Sequence, residues 1–200
     1  MARTQAADYE QRREAIVDKA AELYAERGFL GASVADLAGA CGSSKSLIYH
    51  YYGAKEEILY DVMATHIADL EAAMAEVESA GLPPAKALRA IARAFMGRYA
   101  GAAARHKVLL NELDHLPAER RSEIVGRQRW LVRQVERLMI AIAPELKDRP
   151  GRTWPNAMLF FGMINWTHTW YDPARAVTSD ELADMAVDMV LYGLGGPAEG

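Results

Sequence analysis

The run Ser33-Val34-Ala35-Asp36-Leu37-Ala38-Gly39-Ala40-Cys41-Gly42-Ser43-Ser44-Lys45-Ser46-Leu47-Ile48-Tyr49-His50-Tyr51-Tyr52-Gly53 decides the fold. Ser33 with Asp36 three residues on has the form of a capping pair, with Asp in place of the usual Glu, so a helix begins after Ser33. Val34, Leu37, Ala38 and Cys41 recur on one face of it, and Gly42 breaks it. Ser43 and Ser44 are each good N-caps for a following helix that runs through Lys45, Leu47, Ile48 and Tyr51 to about Tyr52, where Gly53 ends it. Two short helices joined by a glycine-containing turn have the form of a helix-turn-helix. The first must cross the second over small side chains, which Ala38, Ala40 and Gly42 supply. The second must present small polar and cationic groups outward. Ser43, Ser44, Lys45, Ser46, Tyr49 and His50 fill that role, while Leu47, Ile48 and Tyr51 or Tyr52 anchor inward. Hydroxyls, an ammonium and phenols suit phosphate oxygens.

Outward from this run the helical period continues in both directions, and strand alternation appears nowhere. A first helix is expected over about Tyr9 to Arg27, with Gly28 in a left-handed cap and Phe29 and Leu30 returning to the core. A long fourth helix, Lys55 to about Ser79, stops at Gly81-Leu82-Pro83-Pro84. Further helices read as Ala85 to Tyr99, Ala104 to Asp114, Glu119 to Ala143, Pro155 to Trp170 and Ser179 to Leu191. Pro117, Pro144, Pro150 and Pro173 fall in the gaps, and Thr178 with Glu181 forms a capping box for the last helix. The expected fold is all-α with nine helices, an N-terminal module over 1–54 and a C-terminal portion over 55–200.

Composition limits the function classes. The chain has 200 residues, a formal net charge of −4 and one cysteine, Cys41, so an internal disulfide framework is excluded. The polar start, Met1 to Glu14, lacks the apolar core of a signal peptide, and no apolar run is long enough to span a bilayer. A cytoplasmic protein without a membrane partner is expected. Residues 1–60 carry fewer basic than acidic groups, so weak non-specific DNA affinity is expected, with a dimer needed to double the contacts.

Over Arg13 to Val62 the chain resembles the tetracycline-repressor (TetR) family of regulators. Ser33 to Gly42 is similar to the family's first motif helix and turn, and Ser44 to Ile58 to its recognition helix and the start of the fourth helix. Three positions depart: Ser43 stands where a small aliphatic residue is usual, Ser46 where Gly or a small residue is common, and Ala54 where Ser usually caps the fourth helix. The resemblance implies a homodimer bound to double-stranded operator DNA. It places Ser44, Tyr49, Tyr51 and Lys55 at phosphates and Lys45, Ser46 and His50 at base edges or the adjacent backbone. Ser33 begins the first motif helix near the backbone, and Arg12 and Arg13 reach phosphates or the minor groove.

The C-terminal portion reads as an effector domain. Phe95, Tyr99, Trp130, Trp166 and Trp170 can enclose an apolar ligand, and Asn165, His168 and Thr169 are polar groups in an otherwise apolar helix that need partners. The stretch Glu119 to Ala143 holds six arginines against three glutamates. Arg129, Arg133 and Arg137 share one face, which is either a solvated surface or a phosphate grip. The Phe161–Tyr171 and Leu109–Pro117 blocks resemble the subgroup that senses acyl- or aryl-coenzyme A thioesters. In the family, two helices of each subunit pair as a four-helix bundle. Here Met158, Phe161, Gly162, Met185, Met189 and Tyr192 would form that seam. The alternatives are the same fold sensing a drug-like or free-acid ligand, a helical interaction protein that never touches DNA, and an enzyme. An enzyme has little support: there is no phosphate loop or Ser-His-Asp arrangement, and the five histidines are scattered. No cofactor and no metal site are expected.

Overall fold

The computed structural model describes residues 2–172, 174 and 176–192, and among them the secondary structure is helical throughout. The order is α1 (Ala2–Gly31), α2 (Val34–Ala40), α3 (Lys45–Tyr51), α4 (Lys55–Ser79), α5 (Pro84–Gly101), α6 (Ala103–Asn111), α7 (Ala118–Ile142), α8 (Pro150–Asn165) and α9 (Ser179–Tyr192). Single-turn 3₁₀ segments follow α6, α7 and α8, at Leu113–His115, Pro144–Asp148 and Trp166–Thr169. None of these helices is long and apolar enough to cross a membrane.

The helices fall where the pattern puts them, apart from α6, which stops at Asn111 rather than Asp114 before a 3₁₀ turn, and three larger differences. The first is α1, which starts at Ala2 and breaks at Gly28 (φ 74°, ψ 160°), backbone that only glycine adopts without strain. The chain beyond it buries Phe29 but leaves Leu30 exposed. The second is α8, which begins at Pro150, five residues before the expected start, because a proline at a first helical position has no N–H to lose. Pro155 then lies inside the helix. The third is the end of α8: it stops at Asn165, and the expected last turn tightens into 3₁₀ geometry. Pro173, expected in a gap, lies outside the described residues.

Two compact units result. One comprises Met1–Ile67 and Ala104–Val125, the other Ala68–Ala103 and Gly126–Gly200. The expected 54/55 border follows the end of the helix-turn-helix. The compact units follow packing instead: the start of α4, α6 and the start of α7 close the same core as α1–α3. That core is built on Ile16, Ala20, Tyr24, Phe29, Leu37, Ile48, Leu59, Val62 and Met63. At Coulombically neutral sites such as these, each side chain of Leu or Ile size contributes about 1.5–3 kcal/mol on burial. In the second unit α5 packs along α9, with α8 against both, around Leu88, Ile91, Phe95, Phe160, Ile164 and Val187.

Candidate nucleic-acid interface

The two motif helices are short, so their ends matter. Ser33 Oγ accepts from the Asp36 N–H (3.1 Å) and Asp36 Oδ2 accepts from the Ser33 N–H (2.8 Å), a complete capping box. These bonds hold the Asp36 carboxyl below its usual range. Gly42 takes φ +59°, and its N–H donates to the Gly39 carbonyl while that of Ser43 donates to Ala38 (2.9 Å), closing the turn. Ser44 Oγ accepts from the Leu47 N–H (3.2 Å) and starts α3. Of the two candidate caps, Ser44 does the capping.

With its ends fixed, α3 has a definite inside and outside. Ile48 and Tyr52 are buried and Leu47 and Tyr51 half-buried, whereas Ser44, Lys45, Ser46, Tyr49 and His50 are exposed. Tyr49 keeps 54% of its surface in solvent. Ser33 is exposed at the start of α2. Three residues sit differently from expectation. Ser43 is half-buried, and its hydroxyl oxygen is enclosed without a hydrogen-bond partner, because the bond from its N–H to Ala38 draws it into the turn. Lys55 folds back: its ammonium donates to the Phe29 carbonyl and stands 3.9 Å from the centre of the Phe29 ring. Burial lowers its pKa, with Glu56 and Glu112 opposing. Arg13 is held inward by Asp61 (2.5 Å), which also accepts from the Tyr52 hydroxyl (2.8 Å). At the departure from Ser to Ala54, Glu57 Oε2 accepts from the Gly53 N–H (2.8 Å), one residue before the cap position, so the carboxylate ties down the chain entering α4 without forming a capping box.

The Phe29 amide is gripped from the other side as well. Its N–H donates to Glu112 Oε2 (3.1 Å), and the His115 ring stacks on the Phe29 ring at 5.4 Å. The α6–α7 junction therefore meets the kink after α1 inside the same unit.

In the second unit the expected effector residues do not form one set. Phe95 and Tyr99 are core residues, and Trp130, partly buried, packs against the same core. Arg129 and Arg133 lie exposed on α7. Because α8 ends at Asn165, the 3₁₀ turn carries Trp166 outward (65% exposed), and Thr169 and Trp170 are exposed too. Thr169 is satisfied locally, donating to the Trp166 carbonyl (2.8 Å). Among the described residues of this unit, two buried side-chain oxygens lack hydrogen-bond partners: Asn165 Oδ1 and Gln134 Oε1. Gln134 was not among the expected residues. The readable signal is an amide one turn along from Leu131 and beside Val135, in the buried stripe of α7.

The outer faces of α8 and α9 are apolar. Met158, Met185, Met189 and Tyr192 are exposed, as is Gly162. Phe161 is not on this face: it is buried against Phe95 (6.3 Å) and Phe160 (5.4 Å), since neighbouring positions on α8 both fall toward α5. Trp154, Leu159 and Trp166 stand on the outside instead. Around Trp154, Met158, Gly162, Trp166 and Trp170 runs an open groove of about 730 Å³.

Comparison with known proteins is consistent along the chain. Residues 16–62 match the family model described as bacterial regulatory proteins, tetR family. Residues 81–194 match the tetracyclin repressor-like C-terminal domain. Among curated proteins, the HTH-type transcriptional repressor KstR2 of Rhodococcus jostii (strain RHA1) is 27% identical over 190 residues, 93% of this chain and 92% of that one. Among solved structures, a TetR-family transcriptional regulator from Bordetella parapertussis 12822 shares 35% identity at a TM-score of 0.88, covering 91% of this chain and 95% of that one. AibR in complex with isovaleryl coenzyme A and operator DNA shares 28% identity at 0.77, covering 89% and 97%.

Proposed function

The chain belongs to the TetR family of bacterial transcriptional regulators, and from that premise we propose that it is a homodimeric repressor, released from a two-fold symmetric operator by a small effector in the cytoplasm. The observation that carries this reading is the outer face of α3. A capped helix of two turns exposes Ser44, Lys45, Ser46, Tyr49 and His50 while Ile48 and Tyr52 hold its back. Ser33, Ser44, Tyr49 and Tyr51 are assigned to phosphates, and Lys45, Ser46 and His50 to base edges. Ser43, Arg13 and Lys55 are left out of the contact set and act on the shape of the module. Residues 1–54 bind DNA and residues 55–200 bind the effector and the second protomer, with α4 common to both tasks.

The effector assigned is an acyl- or aryl-coenzyme A thioester. AibR, similar over most of its length, was solved with isovaleryl coenzyme A and operator DNA. The exposed Arg129 and Arg133 supply paired guanidinium groups for phosphates. Phe95, Tyr99 and Trp130 provide an apolar setting for the acyl end, and the unpartnered Gln134 and Asn165 oxygens are acceptors suited to the amide N–H groups of the pantetheine arm. The effector acts by binding the DNA-released state more tightly than the DNA-bound one. A difference on the order of 3 kcal/mol shifts the equilibrium usefully.

Two measurements test this. Selection from random-sequence duplexes should enrich a palindrome whose half-sites lie one DNA turn apart. Failure to enrich any sequence counts against DNA binding. Isovaleryl, phenylacetyl or longer acyl coenzyme A should raise Tm and release that operator, with the free acids inert. Release by free acids but not by thioesters would overturn the thioester assignment and leave the operator reading standing.

A further inference from the structure

α3 is seven residues long, too short to hold its orientation by its own hydrogen bonds. Its back is anchored by Ile48 and Tyr52, but Tyr51, on its last turn, is only half-buried. The Tyr51 ring is supported from outside the motif. Tyr9 of α1 lies against it with ring centres 4.6 Å apart and planes tilted by 33°. His50 meets the same Tyr51 ring edge-on at 5.5 Å. Four residues further along α1, on the same helix face, Arg13 stands over the Tyr52 ring (5.6 Å) and bonds Asp61. Two successive turns of α1 thus hold two successive aromatic residues at the end of α3.

From this geometry, and resting on the operator reading above, we infer that Tyr9 is a positioning residue for operator recognition: its ring fixes the Tyr51 side chain, and with it the last turn of α3, in the orientation that meets the DNA backbone. The ring carries the effect and the hydroxyl does not. Tyr9 remains 38% exposed, so its removal leaves the core of the unit intact. An aromatic pair of this kind adds about 0.5–1.5 kcal/mol beyond its burial. If the stack orders Tyr51 before binding, its loss appears in operator affinity rather than in stability.

The test is fluorescence anisotropy on the duplex enriched by the wild-type protein, with a scrambled duplex of the same length as control. Tyr9→Ala should weaken operator binding about tenfold, with Tm lowered by no more than about 6 °C and the scrambled duplex, which meets the same backbone contact, weakened as well. Tyr9→Phe should bind within about twofold of wild type. Tyr51→Ala should lose at least as much as Tyr9→Ala, and the double variant no more than Tyr51→Ala alone. Parity of Tyr9→Ala with wild type overturns the inference. A loss in Tyr9→Phe equal to that in Tyr9→Ala also overturns it, since the hydroxyl would then be the active group. Additive losses in the double variant overturn the link to Tyr51. A wild-type protein that enriches no duplex overturns the operator reading itself, and this inference with it.

Discussion

Lys45 is exposed at the start of the outward α3 face, and most other cations of the motif are engaged within the protein. Lys19 pairs with Glu22 (2.7 Å), Arg27 with Asp36 (3.7 Å) and Arg13 with Asp61, while Lys55 is turned to the Phe29 carbonyl. On the operator reading proposed above, phosphate contact therefore rests on the hydroxyls of Ser33, Ser44, Tyr49 and Tyr51, which release no counterions. With about two to four ionic contacts per dimer, the slope of log K against log salt for the operator should lie near −2 to −4. Titration of the selected duplex from low to high salt measures this directly, and a slope steeper than about −6 would contradict it. The caps Ser33 and Ser44 were readable because capping is a matter of three or four neighbouring residues. The positions of Lys55 and Arg13 were not, because their partners lie 26 and 48 residues away and no local pattern encodes them.

At the scale of helices, period and punctuation located nine elements, and the errors were at ends where a second proline or a tighter turn was available. Pro155 has the look of a helix start, yet Pro150 takes that position. An internal proline costs roughly 3 kcal/mol, offset here by the burial of Ala157, Phe160, Phe161 and Ile164 along the same helix. A pairing between helices was likewise invisible in the sequence: His66 of α4 and His106 of α6 are 0% and 2% exposed, with Nε2 of the first 3.1 Å from Nδ1 of the second. Burial, reinforced by the charge of Arg105, lowers the His66 pKa from 6.5 to about 4. The folded protein thus declines a proton that the unfolded chain accepts. This contribution to stability is complete above about pH 6.5 and is lost as the pH falls toward 4. Tm measured across that window should drop, and His66→Phe should show a shallower slope whatever its absolute Tm. Equal slopes in the two proteins would show that the pair is not linked to protonation.

The whole molecule joins an outward helix-turn-helix face in one unit to an outward apolar face in the other. Trp154, Met158, Leu159, Trp166, Met185 and Met189 are all exposed on α8, its 3₁₀ turn and α9, large apolar side chains of the kind that cluster where proteins meet. The family resemblance, rather than any local spacing, pointed to a seam on these two helices. The outward tryptophans did not show in the pattern, because the turn after Asn165 redirects the chain. The combined substitution Leu159→Glu with Met185→Glu should convert a dimer of about 44 kDa, twice the 22.1 kDa chain, to monomer by light scattering and weaken operator binding. A dimer that persists would place the interface elsewhere. The outer face of α3 is the surface proposed to meet DNA, and the anisotropy of the selected operator duplex with Lys45→Ala and Tyr49→Ala measures its part in binding. Each variant should keep the dimer and its Tm while losing about tenfold or more in affinity; unchanged affinity in both would contradict the assignment of that face to DNA.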